Sequence, residues 1–179
     1  MSHVCARCPK ALGASCCEVK EGEYLALLTS ADIRRIGEHV RRRPEHFVEE
    51  EWVERDEALE YEARRPLYRG YFRHSLLRRS LKRREGACVF LDREAGCTLP
   101  AEVKPTACLL YPFEQVADGS WSVAVARYGS LEAAKGQWDA CLAVEEAKRM
   151  ADVLRAFGTT RPEVEALGER LRREVQAGE

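Results

Sequence analysis

Eight cysteines, gathered at the two ends of a charged middle, constrain this chain more than any other feature. Cys5, Cys8, Cys16 and Cys17 fall within the opening run CARCPKALGASCC. Cys88, Cys97 and Cys108 follow after a gap of about seventy residues, and Cys141 comes later. Thiols at this density serve a disulfide framework, a redox pair or a metal, and the compartment decides among them. The first thirty residues carry no apolar signal-peptide core, and no apolar run approaches the ~18 residues that span a bilayer. The expectation is a soluble, cytoplasmic protein without membrane association, where stable disulfides are rare and clustered thiols bind metal.

Thiolates are soft donors that lose their proton on coordination, which suits them to zinc and to iron–sulfur clusters. Cys5-Ala6-Arg7-Cys8 has the Cys-x-x-Cys spacing that lets one turn supply two sulfurs to one metal. Cys16 and Cys17 are adjacent, their side chains diverge, and they are expected to serve different metal positions or different sites. Cys88 and Cys97 come together if Val89 to Leu91 pairs with Thr98 to Leu99 in a hairpin. Cys108 sits in VKPTACLLYPF, where Pro105 and Pro112 stiffen the backbone and Leu109, Leu110, Tyr111 and Phe113 offer an apolar wall. Cys141 reads equally well as a ligand or as a small hydrophobe on the apolar face of a helix. Eight thiols suffice for two four-thiolate sites, or for one with the remainder elsewhere.

The rest of the chain reads as an α+β fold: one mainly helical domain over residues 1–179, with short β-hairpins around a cysteine metal cluster. Ligand segments cover 5–17 and 88–141, a charged helical insert about 30–85, and C-terminal helices about 139–176. A short extended stretch is expected near Tyr24 to Leu28. Thr29 or Ser30 caps a helix running to about Arg43, where Pro44 stops it. A second helix is expected from Glu45, with Phe47, Trp52, Val53 and Leu59 as apolar members. After a break at Pro66, a third carries Tyr68, Tyr71, Phe72, Leu76, Leu77 and Leu81. Hairpins are expected at CVFLDREAGC and around Asp118-Gly119, the second with a strand from Trp121 to Ala126. Ser130 or Asp139 starts a helix through Val144, Ala147, Met150, Ala151 and Leu154 that Gly158 ends. Thr160-Arg161-Pro162-Glu163 is a capping box for a last helix to about Val175.

Charge is segregated in the middle. Residues 49–62 hold eight acids and one base, and residues 64–84 hold nine lysines and arginines and no acid. The tyrosines and Phe72 in the basic run could be stacking platforms for nucleic acid. The aromatics fall at helical spacing beside an acidic run, which favours a core stripe flanked by solvated faces whose charges meet each other. Over the whole chain 29 bases face 30 acids, for a net charge of −1, so nothing drives it toward nucleic acid or an anionic membrane.

CARCPKALGASCC, CVFLDREAGCTL and KPTACLLYPF together resemble the CxxCxxCC cysteine-cluster family (YkgJ-type proteins), described as zinc- or iron-chelating domains. The resemblance covers most of residues 5–17 and 86–113. It implies that Cys5, Cys8, Cys16, Cys17, Cys88, Cys97 and Cys108 are cluster positions, with Cys141 as an eighth. The loop between Cys8 and Cys16 is longer than in the compact family motif. Lys104 and Leu109 stand where the family has arginines, and the sulfur positions are intact. The flagellin lysine methylases carry a similar cluster, but no glycine-rich cofactor loop accompanies it here.

Two functions follow. One is an iron–sulfur protein in a redox, sensing or accessory role. The other is a zinc module whose metal organises a surface for a macromolecular partner. A thioredoxin-like use of Cys5 and Cys8 lacks the flanking β-α-β pattern. His3 could add a ligand near Cys5, whereas His39, His46 and His74 read as surface groups. No catalytic triad, phosphate-binding loop or His-Glu-x-x-His motif is present, so an enzymatic activity of its own is not expected.

Overall fold

The computed structural model describes residues 4–12, 16–18, 25–123, 131–136 and 141–178. The fold is α+β and mainly helical, with its strands in short antiparallel hairpins. The expectations placed on His3, Tyr24, Ala126, Ser130 and Asp139 lie outside the described residues.

The first charged helix forms as its cap dictates. In α2 (Ser30–Val40), the Thr29 hydroxyl accepts from the Asp32 amide at 3.1 Å, and the Asp32 carboxylate accepts from the Thr29 amide at 3.0 Å. The helix ends at Val40, short of Pro44, because Arg41 adopts a left-handed conformation with φ 53°.

Beyond Pro44 the structure corrects the expected pair of long helices. Phe47 is buried, and Val48–Trp52 is a strand, β1. Only then does a helix form, α3 (Arg55–Arg64). A single 3₁₀ turn follows at Pro66–Tyr68, and Leu77–Leu81 is a second strand, β2. β1 and β2 pair antiparallel, with Glu50 opposite Arg79 and Glu51 opposite Arg78. Arg79 bonds Glu50 at 3.0 Å, the buried Arg78 binds both Glu51 and Glu57, and Arg83 holds Glu49 through two nitrogens at 2.7 and 3.0 Å. The segregated charges therefore do face each other, across a ladder instead of between helices. Cross-strand ion pairing favours this register, and Pro66 and Gly70 (φ 91°) interrupt any helix through the basic run.

The aromatics of that run are interior. Tyr61, Tyr68, Tyr71 and Phe72 meet edge to face, with centroids 4.9–6.1 Å apart. Tyr71 donates its hydroxyl proton to the Leu28 carbonyl at 2.9 Å. The Glu62 carboxylate accepts from the amides of Gly70 and Phe72, both at 2.8 Å, and so closes the turn that presents the rings.

The cysteine-bearing half is built of very short pieces. β3 (Arg83–Arg84) pairs with β4 (Ala87–Cys88), and β5 (Leu91–Asp92) with β6 (Gly96–Cys97). Cys88 thus pairs with Arg83, and the second hairpin starts three residues later. The expected pairing of the flanks survives as the Thr98 amide donating to the Phe90 carbonyl at 2.9 Å. α4 (Thr106–Leu110) precedes the hairpin of β7 (Phe113–Gln115) and β8 (Trp121–Val123).

The expected helix through Val144 and Leu154 is broken. Its pieces are α5 (Leu131–Ala134), α6 (Leu142–Glu146) and α7 (Met150–Phe157). The Asp152 carboxylate accepts from the amides of Lys148 and Arg149, both at 3.1 Å, and so starts α7 afresh. Gly158 ends it in a left-handed conformation, as the sequence predicts. α8 (Arg161–Gln176) opens on the predicted Thr160–Glu163 capping box and packs against α4 and the Pro66–Tyr68 turn.

Two larger apolar cores result. One centres on α6–α8 with Val4, Leu110 and Phe113, the other on Leu25, Leu28, Ile36, Phe47, Leu81 and Leu99. Each contains part of the cysteine set.

Candidate metal centre

All eight cysteines lie in described segments, and none is in a disulfide. Cys5 and Cys8 sit three residues apart on α1 (Val4–Leu12), hence on one helix face. α1 packs against α6 and against β6. Arg7 forks onto Glu146 at 3.2 and 3.3 Å, tying α1 to α6 from the solvent side.

Cys141 is the residue before α6. Its carbonyl accepts from the amides of Val144 and Glu145 at 2.7 and 2.9 Å, so it occupies the helix N-cap instead of an apolar helix face. The amide of Leu142 hydrogen-bonds the Cys8 sulfur. Cys8 and Cys141 are both buried in the first core, and Cys5 packs against it.

The second core holds the other thiols. The Cys17 carbonyl accepts the Cys88 amide at 2.7 Å, and Glu18 bridges to Ala87. This short pairing carries the N-terminal cysteines to the β3–β4 hairpin, about seventy residues on in sequence. Cys88 is buried, and Cys17, Cys97 and Cys108 pack around the same core. Cys108 lies on α4, whose first amide, Thr106, donates to the fully buried Asp32 at 3.1 Å. Pro105 and Pro112 are fully buried, but Leu110, Tyr111 and Phe113, expected as an apolar wall at Cys108, belong to the first core, whereas Cys108 packs against the second.

Backbone amides are directed at the sulfurs. Phe90 donates to Cys88, Leu99 to Cys97, and Ala143 and Val144 to Cys141. At three positions the donor is thus the amide two residues on. Such bonds stabilise a thiolate over a thiol. In the metal-free protein burial acts the other way and dominates. It pushes Cys5 and Cys88 up to about 12 and Cys141 up to about 11, with neighbouring thiols adding to each rise. Cys8, Cys97 and Cys108 are raised by the same desolvation. Cys16 is raised well above the usual thiol value, first by its hydrogen bond with the Cys17 thiol and then by burial. A cation would offset what burial penalises, so the arrangement suits coordinated sulfur and disfavours a bare thiolate nucleophile.

The sulfurs are neighbours but not a closed cage. Among the described residues, no three Cys, His, Asp or Glu side chains already stand at metal-holding spacing. The donor type and the amides aimed at sulfur suit thiolate ligation. His39, His46 and His74 are exposed, as the sequence predicts.

Two contributors were not singled out as site residues from sequence. Lys104 acts on Cys5 and on Cys97, its charge lowering both. Its place in the Lys-Pro-x-x-Cys segment was the available signal. Asp32 supports α4 from 74 residues away, and nothing in the sequence beyond its capping role pointed to that.

No helix among the described residues is long and apolar enough to cross a membrane. No family model matches the sequence, and no curated protein or solved structure matches it.

Proposed function

We propose that the chain is a metal-binding cysteine-cluster protein that holds an iron–sulfur cluster on thiolates, in a redox, sensing or accessory role. The reading agrees with the resemblance to the CxxCxxCC family and requires a reducing compartment such as the cytoplasm. One observation carries it. Cys5, Cys8 and Cys141 lie in or against one apolar core and Cys17, Cys88, Cys97 and Cys108 in or against the other, with backbone amides aimed at four of the sulfurs. The second core, with buried Leu99 and Val103, against which Cys108 packs, would supply the solvent exclusion that tunes cluster potentials. The cluster would supply one-electron chemistry or a fold-stabilising cross-link. The chain's residues would bind it, orient it through the amides and keep water from it.

A zinc module is the second reading, and the exposed Trp52 favours it. This ring is 74% exposed on the charged segment, with Leu59 at 58%, a presentation that suits a macromolecular partner.

The test is iron, zinc and acid-labile sulfide per chain on protein purified without oxygen. Iron with matching sulfide is the expected result, and zinc without sulfide transfers the case to the second reading. Folded protein that carries neither metal and takes up neither refutes both.

A further inference from the structure

The adjacent pair Cys16-Cys17 is the one place where the chain passes directly between the two groups of sulfurs. Cys17 is fastened to the second core through its carbonyl bond to Cys88 and the Glu18–Ala87 bridge. Cys88, Cys97 and Cys108 share that core with it. Cys8 and Cys141 are buried in the other core, Cys5 packs against it, and the Leu142 amide binds Cys8 directly beside Cys141. Cys16 joins them by elimination, and after Cys17 the thiols that act on it are Cys141 and Cys5. The Cys16 and Cys17 thiols hydrogen-bond each other, against the expected divergence of adjacent side chains, so the seam between the two groups runs between neighbouring sulfurs.

Resting on the metal-binding reading above, we infer that the eight thiols make two four-sulfur sites, each taking one divalent cation or one cluster. Cys5, Cys8, Cys16 and Cys141 form one. Cys17, Cys88, Cys97 and Cys108 form the other, and the Cys16–Cys17 peptide joins them. Four thiolates complete a tetrahedral shell, so neither site needs a water or a histidine. A divalent cation in each shell leaves a net charge of −2, and Lys104, which acts on Cys5 of one set and Cys97 of the other, lies where both negative centres are felt. The rival arrangement is a single merged cluster with Cys17 bridging, because the Cys17 charge also reaches Cys5 and Cys8.

The experiment is titration of the reduced, metal-free full chain with an NMR-active cadmium isotope, correlating each cadmium with the cysteine β-protons that couple to it. Two ions per chain are expected, each correlated with its own four cysteines and showing no cadmium–cadmium coupling. One ion per chain, or coupling between two ions through a shared thiolate, overturns the division while leaving metal binding intact. No uptake at all overturns the metal-binding reading and this division with it. Cys141→Ser and Cys108→Ser should each abolish one signal and spare the other, and loss of both signals from either folded variant overturns the division. The correlations in the unsubstituted chain decide the matter if a variant fails to fold.

Discussion

Asp32 is the buried residue through which, with Arg35, the charged helix reaches the cysteine region, and its replacement tests that connection. Its carboxylate is fully buried. It accepts from the amides of Thr29 at 3.0 Å and Thr106 at 3.1 Å and pairs with Arg35. Asp32→Ala leaves both amides without this acceptor, at about 1–3 kcal/mol for each buried donor. Arg35 keeps the Lys104 carbonyl at 3.1 Å and Glu174 at 3.5 Å, so its loss is partial. The sum is about 3–5 kcal/mol, within the range for breaking a buried ion pair. At roughly 2–4 °C per kcal/mol for a chain of this size, the melting temperature should fall by about 6–20 °C. Asp32→Asn should fall less, for two reasons. Its oxygen still accepts one amide, and burial already raises the Asp32 carboxyl above its usual range, so removing the charge recovers desolvation. Because Thr106 opens the helix that carries Cys108, Asp32→Ala should also retain less metal. Thermal melts by circular dichroism, with metal analysis of the same samples, check both points. If the alanine variant melts within about 2 °C of the parent, the carboxylate is not the tie described here.

Further outcomes follow from burial and packing. Metal-free protein should lose stability in alkali. The folded state keeps protons on Cys5, Cys88 and Cys141 that an unfolded chain gives up above 9.0, so stability is intact below that pH and falls toward 11–12. Urea midpoints across the range check this, and a flat profile contradicts it. Gly168→Ala on α8 would bring a Cβ within 2.6 Å of two Trp121 ring carbons. The helix-propensity gain of ~1 kcal/mol should be outweighed by about 1–3 kcal/mol of overpacking, and a stabilised variant in denaturant would show that the ring moves aside at little cost. Arg78→Ala should cost about 1–3 kcal/mol by losing a buried guanidinium between Glu51 and Glu57, both half exposed or more, and a high-salt melt should narrow the difference from the parent.

What could be read from sequence was whatever a local rule decides. The Thr29 and Thr160 caps are set by side chains within four residues of the backbone they serve, the Gly158 stop by the left-handed backbone that glycine permits, and each stands where the pattern puts it. The Asp118-Gly119 turn likewise follows from residue type at a position of positive φ. The β1–β2 ladder depends instead on residues about thirty positions apart. Phe47, Trp52, Val53 and Leu59 match a helical period well enough that only the partner strand decides for extended structure. Cys141 is not on a helix face because the helix through Val144 begins only at Leu142, with the Cys141 carbonyl accepting its first bonds. The cysteine spacing marked the candidate ligands, but which thiols neighbour which is a property of the two cores.

The elements that carry the sulfurs cannot hold their shape alone. β4 and β6 have two residues each, and α4 and α6 have five. Isolated helices below ~12 residues and two-stranded hairpins are marginal in water. Position must therefore come from elsewhere, and the charged middle supplies part of it. The Lys82 amide donates to the Phe47 carbonyl at 2.8 Å, and the Lys82 carbonyl accepts from Val89 at 3.1 Å, so the ladder's hydrogen bonds run on to the residue after Cys88. The Cys17–Cys88 pairing then closes a long loop, a constraint that as a covalent link would be worth roughly 4 kcal/mol of lost unfolded-chain entropy. A metal that bound sulfurs on both sides of this closure would be bound only by the folded chain, and its binding energy would become folding energy. The segment that looks least like part of a metal site, the acidic and basic run between the cysteines, is therefore part of what keeps Cys88 within reach of Cys17.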